Sequence, residues 1–404
     1  MLPRPSLSFT LPSIHDSTKL DCRVYHPACL DAPLGTSDKS WRRHAAVVAH
    51  PYAPLGGSYD DPVVHLVAST LLHLGFVVVL FNFRGASSSH GRTSWTSKPE
   101  RADYMSVTGF LVYYMHYLCS SRQSPVTTSN NVPSPTLLLA GYSYGAMVTM
   151  QLPPLDSFLS DFTSPATHTA MADIRLRAQH LAEQQIIMHT TPSSPRKSLG
   201  MRVGGDEDIS SSPKAHDKSR AHSPEREERI RKGVRELLSR NKLIHRKNTY
   251  NPTDQSGAVE REETCLEGID NLVRFRCAYL LVSPPVGIVT TIATMTFSNP
   301  FSSWSKRRKG GTVLNRNHEG YAKREEVEAE AKLMKHPTLA IYGDQDGFLA
   351  LKKMRDWTAQ LSSAEGSQFD HVEVSGAGHF WIEEGVVYEL KEAVSSFAAR
   401  LIGS

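Results

Sequence analysis

Cysteine is scarce and unpatterned. The five residues Cys22, Cys29, Cys119, Cys265 and Cys277 are scattered, odd in number and form no C-x-x-C pair. Neither a disulfide framework nor a cysteine zinc site organises such a chain. Long apolar runs are missing as well. No stretch approaches the roughly 18 apolar residues that span a bilayer, and the opening MLPRPSLSFTLPS lacks an apolar segment of signal-peptide length. Nor does one sign of charge dominate: the net charge is +4 over 404 residues, which selects no class of partner. These absences lead to the expectation of an intracellular, cytoplasmic chain with no stable membrane insertion and no metal or other cofactor.

What is present is enough apolar sequence for a large core, 40% of the residues. Its distribution is ordered. SLSFTLPS and KLDCRVYHP, at 6–13 and 19–27, read as two strands of a hairpin. HAAVVAHP (44–51) is a continuous apolar run of strand length that ends in a Pro- and Gly-rich loop. PVVHLVASTLLHLGF (62–76) carries apolar residues at helical spacing, with Pro62 suited to a first turn and Gly75 to a stop. FVVVLFNFRG follows as a strand, 104–119 as a helix, and TLLLAGYS as another strand. Strands alternating with helices predict a mostly parallel central sheet with helices on both faces.

After Met150 that alternation stops. Residues 159–272 are polar and poor in large apolar side chains, which predicts a largely disordered insertion between core segments 1–158 and 273–404. Within it, 225–248 places Ile230, Val234, Leu237 and Leu238 on one face of a basic helix. Acidic residues interleave through EREER, and aromatic residues are nearly absent before Tyr250. This predicts a solvated helix and no nucleic-acid partner. Core-like strands resume at 276–287 and 336–346, 369–381 reads as a strand, a Gly-rich turn and His379, and 287–335 reads as a lid or loop region. A helix at 349–361 and a final helix close the pattern.

Where the strand TLLLA meets the helix-compatible AMVTM stands Gly141-Tyr142-Ser143-Tyr144-Gly145. A G-x-S-x-G turn between strand and helix holds its serine in a sharp, strained bend, and the flanking positions must be small for helix and strand to approach. A serine hydroxyl is a weak nucleophile and needs a base, an orienter for the base, and donors for the oxyanion. After Ser143 come an acidic turn, Gly343-Asp344-Gln345-Asp346, and then Gly376-Ala377-Gly378-His379. Both follow strands, and the order is nucleophile, acid, base. Asp346 is the preferred acid, because three residues past Gly343 its carboxylate can reach back over the strand tips. Asp344 equally suits a cap for the following helix or a brace within the turn. The backbone N–H of Tyr144, beside the nucleophile, is one expected oxyanion donor. Pro51 has no N–H, which leaves Tyr52 as the second. His50 is expected to position that loop rather than to act as a base, and Arg84 to form a structural salt bridge in preference to binding an anionic substrate group.

Six motifs together resemble the α/β-hydrolase superfamily, and within it the small dienelactone-hydrolase-like group. They are His50-Pro51-Tyr52-Ala53-Pro54-Leu55-Gly56-Gly57, Asn82-Phe83-Arg84-Gly85, Gly141–Gly145, Val282-Ser283-Pro284-Pro285, Gly343–Asp346 and Gly376–Phe380. The resemblance covers 1–152, 276–287 and 336–404. It implies an α/β-hydrolase fold and a serine hydrolase that takes a small acyl-ester substrate: an ester, thioester or lactone. Two alternatives stand beside it: a peptidase of the same fold, and a non-catalytic scaffold using the insertion, with Ser194 and Ser223 as Ser-Pro sites. The polar insertion departs from the family pattern.

Overall fold

The computed structural model describes residues 2–30, 41–94, 96–120, 134–190, 224–249, 260–286 and 328–403. The apolar runs become the interior of one eight-stranded sheet. Its spatial order is β1 (Leu7–Pro12), β2 (Lys19–Tyr25), β4 (Val77–Phe81), β3 (Ala45–Ala49), β5 (Thr136–Tyr142), β8 (Arg276–Val282), β9 (Thr338–Gly343) and β10 (Phe369–Val374). Only β2 runs against the rest: it pairs antiparallel with both β1 and β4, and the other ladders are parallel.

Side chains alternate across the pleat. Along β3, Ala45, Val47 and Ala49 enter one core and Ala46 and Val48 the other. This is why the strand reads as unbroken apolar sequence. The first core is closed by α2 (Lys98–Ser120), α3 (Tyr144–Met150) and α7 (Leu351–Ser363). The second is closed by α1 (Pro62–His73) and α8 (Val386–Gly403). Helix α1 begins where the sequence says it should: the Asp61 carboxylate accepts from the Val63 and Val64 N–H groups at 2.8 and 3.3 Å, with Pro62 following.

The 159–272 region carries more ordered structure than its composition suggests. Short α4 (Leu155–Leu159) leads to α5 (Ala170–Thr190), which packs against α2. Helix α6 (Pro224–Arg240) packs on α5, and β6 (Leu243–Thr249) pairs antiparallel with β7 (Glu260–Leu266). Helix α5 buries Ala172, Ile174, Leu176, Ala178, Leu181 and Ala182. Ile230 and Leu237 of α6 are buried against it, and Val234 and Leu238 partly so. The basic helix stops at Arg240 instead of running on to 248, because Asn241 returns both its backbone and side-chain N–H to the Leu237 carbonyl. Glu227 fastens α6 to the core, accepting from Thr10 Oγ1 at 2.9 Å and pairing with Arg177 at 3.0 Å. Ser194, Ser223 and most of the 287–335 region lie outside the described residues; 328–335 are helical up to Lys335.

Candidate active site

The site forms at the carboxyl ends of β3, β5, β9 and β10, where parallel strands release their loops side by side. Strand β5 passes directly into α3 through Ser143, whose backbone adopts φ 54° and ψ −116°. A non-glycine residue at positive φ of this kind carries about 1–3 kcal/mol of strain and persists only where its surroundings over-determine it. Two glycines do so here. A Cβ on Gly141 would lie 2.3 Å from the Gly145 carbonyl carbon, and one on Gly145 would lie 2.5 Å from the Ala49 carbonyl oxygen. Helix α3 therefore presses against β3 with no room for a methyl group.

The expected acid and base arrive from the other half of the chain. His379 Nε2 lies 2.8 Å from Ser143 Oγ, and His379 Nδ1 lies 2.7 Å from Asp346 Oδ2. With Nδ1–H donating to the carboxylate, Nε2 is left to accept from the hydroxyl. Asp346 and His379 are both buried. The second carboxylate oxygen, Asp346 Oδ1, accepts from the Phe348 N–H at 2.9 Å. Tyr142 donates its hydroxyl to the His379 carbonyl at 2.7 Å. Burial, with the Asp61 and Asp346 carboxylates nearby, raises the pKa of that phenol and keeps it a donor.

Asp344 does other work. It accepts from the Gly376 N–H at 2.7 Å and the Ser375 hydroxyl at 3.3 Å, bracing the turn that carries His379.

Tyr144 opens α3, so no helical carbonyl stands behind its N–H. Tyr52 lies in the loop after β3, just before a 3-10 turn at Ala53–Leu55, and the Tyr52 and Tyr144 rings lie 5.2 Å apart. His50 holds this loop. Its Nδ1 is 2.6 Å from the Pro51 carbonyl, and its Nε2 accepts from the Phe83 N–H at 2.9 Å. Burial lowers its pKa to about 4, so the ring stays neutral and can serve as donor and acceptor at once. Gly57 allows the loop to double back, because a Cβ there would meet the Pro51 carbonyl oxygen at 2.3 Å. Arg84 forms the expected salt bridges, to Asp103 at 2.7 Å and Asp16 at 2.9 Å. Its guanidinium is tied up inside the fold.

Three supports are not obvious from the residues alone. Buried Lys332 donates to the carbonyls of Thr149, Met150 and Leu152, at 3.3, 2.9 and 2.6 Å, and so seals the C-terminal end of α3. Nothing in AEAKLMKHP marks that lysine. The Trp381 indole donates to Ser283 Oγ at 3.1 Å, tying the histidine turn to the end of β8; the Ser in V-x-P-P was the available signal. Tyr142 occupies a variable position of G-x-S-x-G and gives none. Among the described residues no cluster of His, Cys, Asp and Glu could hold a metal, and no helix is long and apolar enough to cross a membrane.

No family profile matches the sequence, and no curated protein matches it. Solved structures do. The chain is 16% identical to an α/β serine hydrolase without lid from Xanthomonas campestris, covering 99% of this chain and 96% of that one at a TM-score of 0.43. It is 15% identical to an α/β serine hydrolase homologue from Coxiella burnetii, covering 98% and 99% at 0.43. It is 11% identical to an esterase from Pyrococcus furiosus, covering 97% and 90% at 0.44. The molecule carries a single reversed strand, second in an eight-stranded sheet, and a strained serine at the β5–α3 turn. By that architecture the chain has the α/β-hydrolase fold.

Proposed function

We propose that the protein is a serine hydrolase that cleaves carboxylic esters, thioesters or lactones through an acyl-enzyme. One observation carries this reading: the unbroken hydrogen-bonded series from Asp346 through His379 to Ser143, at 2.7 and 2.8 Å. In the first step Ser143 Oγ bonds to the acyl carbon while its proton passes to His379 Nε2. Asp346 fixes the tautomer and stabilises the imidazolium. The Tyr144 and Tyr52 N–H groups receive the oxyanion. The carbon–oxygen bond to the alcohol then breaks, and His379 returns its proton to the departing oxygen. Water, deprotonated by the same ring, attacks the acyl carbon and frees Ser143 with the acid.

The test is covalent labelling by a fluorophosphonate. The wild-type chain should label and Ser143→Ala should not, with ester turnover in the variant down by several orders of magnitude. Equal labelling of the two proteins would refute the assignment.

A further inference from the structure

Ten large apolar side chains stand exposed among the described residues, and two of them touch the candidate base. Phe348 is 46% exposed and Phe380 is 60% exposed. The Phe348 ring centroid lies 4.6 Å from that of His379, and Phe380 lies 5.5 Å from it. The two phenyl rings are 5.8 Å apart and nearly perpendicular. The three rings therefore form one contiguous cluster, with the imidazole buried and both phenyls open to solvent. Their positions are tied to the acid and the base. Phe348 donates its N–H to Asp346, and Phe380 directly follows His379.

The reaction itself says which half of a substrate meets this cluster. In acyl transfer the imidazole gives its proton to the leaving oxygen, so that oxygen must lie within hydrogen-bond reach of Nε2. The acyl oxygen lies instead toward the oxyanion donors. Groups packed around His379 thus border the alcohol, while the loop at Tyr52 and the start of α3 border the acyl oxygen. Exposed aromatic faces beside an acyl-transfer base favour an apolar, and above all an aromatic, leaving alcohol, which would cover them from water.

We propose that Phe348 and Phe380 form the leaving-group subsite and that the enzyme selects esters of aryl-bearing alcohols over esters of small ones. The proposal rests on the serine-hydrolase reading. In its productive step, the bond from Ser143 Oγ to the acyl carbon forms, the bond from that carbon to the alcohol oxygen breaks, and the Ser143 proton leaves on the alcohol by way of His379.

The experiment uses the full chain and two substrate series. In one, acetate is constant and the alcohol is methyl, butyl or 2-phenylethyl; in the other, methanol is constant and the acyl group is acetyl, butyryl or phenylacetyl. Phe348→Ala, Phe380→Ala and the double variant are measured beside the wild type. The ratio of kcat/KM for 2-phenylethyl acetate over methyl acetate should fall about ten- to a hundredfold in the double variant. The ratio of methyl phenylacetate to methyl acetate should change much less. Phe348→Leu with Phe380→Leu, which keeps apolar bulk but no ring, should recover part of the preference for butyl acetate and little of that for 2-phenylethyl acetate. Fluorophosphonate labelling of every variant reports a folded, competent serine.

An unchanged alcohol ratio in labelled, active variants would overturn the subsite while leaving the hydrolase reading intact. A loss confined to the acyl series would overturn it in the same way. Absence of labelling in the wild type would overturn both.

Discussion

Gly145→Ala puts a single methyl group into the contact that holds the nucleophile turn. The new Cβ would lie 2.5 Å from the Ala49 carbonyl oxygen and 2.7 Å from both the Ala49 carbonyl carbon and the His50 oxygen. All three are backbone atoms, so no side chain can swing aside. Ordinary van der Waals contact begins at 3.4 Å, and the difference from 2.5 Å requires α3 and β3 to part by about 0.9 Å. Ser143, two residues earlier, moves with α3, whereas Asp346 and His379 hang from β9 and β10 and stay. The 2.8 Å contact between Ser143 and His379 is then lost.

A misplacement of about 1 Å in reacting groups costs on the order of a hundredfold in rate. Overpacking of this kind costs roughly 1–3 kcal/mol in stability. The assay is kcat and KM on 4-nitrophenyl acetate together with urea unfolding. Gly347→Ala serves as control, because its added methyl would meet nothing within 4 Å and its φ is unremarkable. That control should stay within about 0.5 kcal/mol of wild-type stability. Wild-type kcat in Gly145→Ala would refute the reasoning, since the elbow would then not depend on the approach of α3 to β3.

The two acids of the 343–346 turn should separate cleanly. Asp346→Asn should lower kcat by about 10⁴, as loss of the orienting carboxylate leaves the imidazole in the wrong tautomer. Asp344→Ala should cost about 1–2 kcal/mol in stability and far less in rate, because it loses only the side-chain bonds to Gly376 and Ser375. The opposite ranking would transfer the catalytic role to Asp344. Acid sensitivity should come early. Burial lowers the pKa values of His50 and His44 to about 4, and both rings accept a backbone N–H, from Phe83 and from Thr136. The unfolded chain takes up these protons near pH 6.5 and the native one only near pH 4. Stability is therefore complete above pH 6.5 and declines as pH falls toward 4, by roughly 3 kcal/mol for each ring. Urea midpoints at pH 7, 5.5 and 4.5 measure this, and a flat profile would show that neither ring is held neutral.

The sheet was legible because its parallel strands are buried on both faces and so appear as unbroken apolar runs. Val77–Phe81 and Thr136–Tyr142 are buried at every position. Ser143 and Asp346 were legible because each sits on a Gly-marked turn after such a run. His379 follows the half-exposed strand β10, and its Gly-rich turn was the signal. Helix α5 was not. Its apolar residues lie among Arg175, Arg177 and Gln185, polar residues that are themselves buried. Arg175 donates to the carbonyls of Phe162, Thr163 and Glu267, and Arg177 meets Asp173, Glu227 and the Thr10 carbonyl. A helix that buries charge against specific acceptors looks solvated until those acceptors are known. Lys332 was hidden for the same reason: its partners are three carbonyls, and a carbonyl has no sequence signature.

Strands β5 and β8 are neighbours through seven successive pairs, from Thr136 opposite Arg276 to Tyr142 opposite Val282, although α4, α5, α6 and the β6–β7 hairpin come between them along the chain. Ser143 and the Asp346–His379 pair consequently reside on opposite sides of that excursion, and what unites them is the ladder, not the peptide link. The protein should then tolerate being made as two polypeptides. Co-expressed fragments 1–200 and 201–404 should co-purify, and the first should accept the fluorophosphonate only when the second is present. Fragments that never associate would mean that assembly of the central sheet depends on covalent continuity.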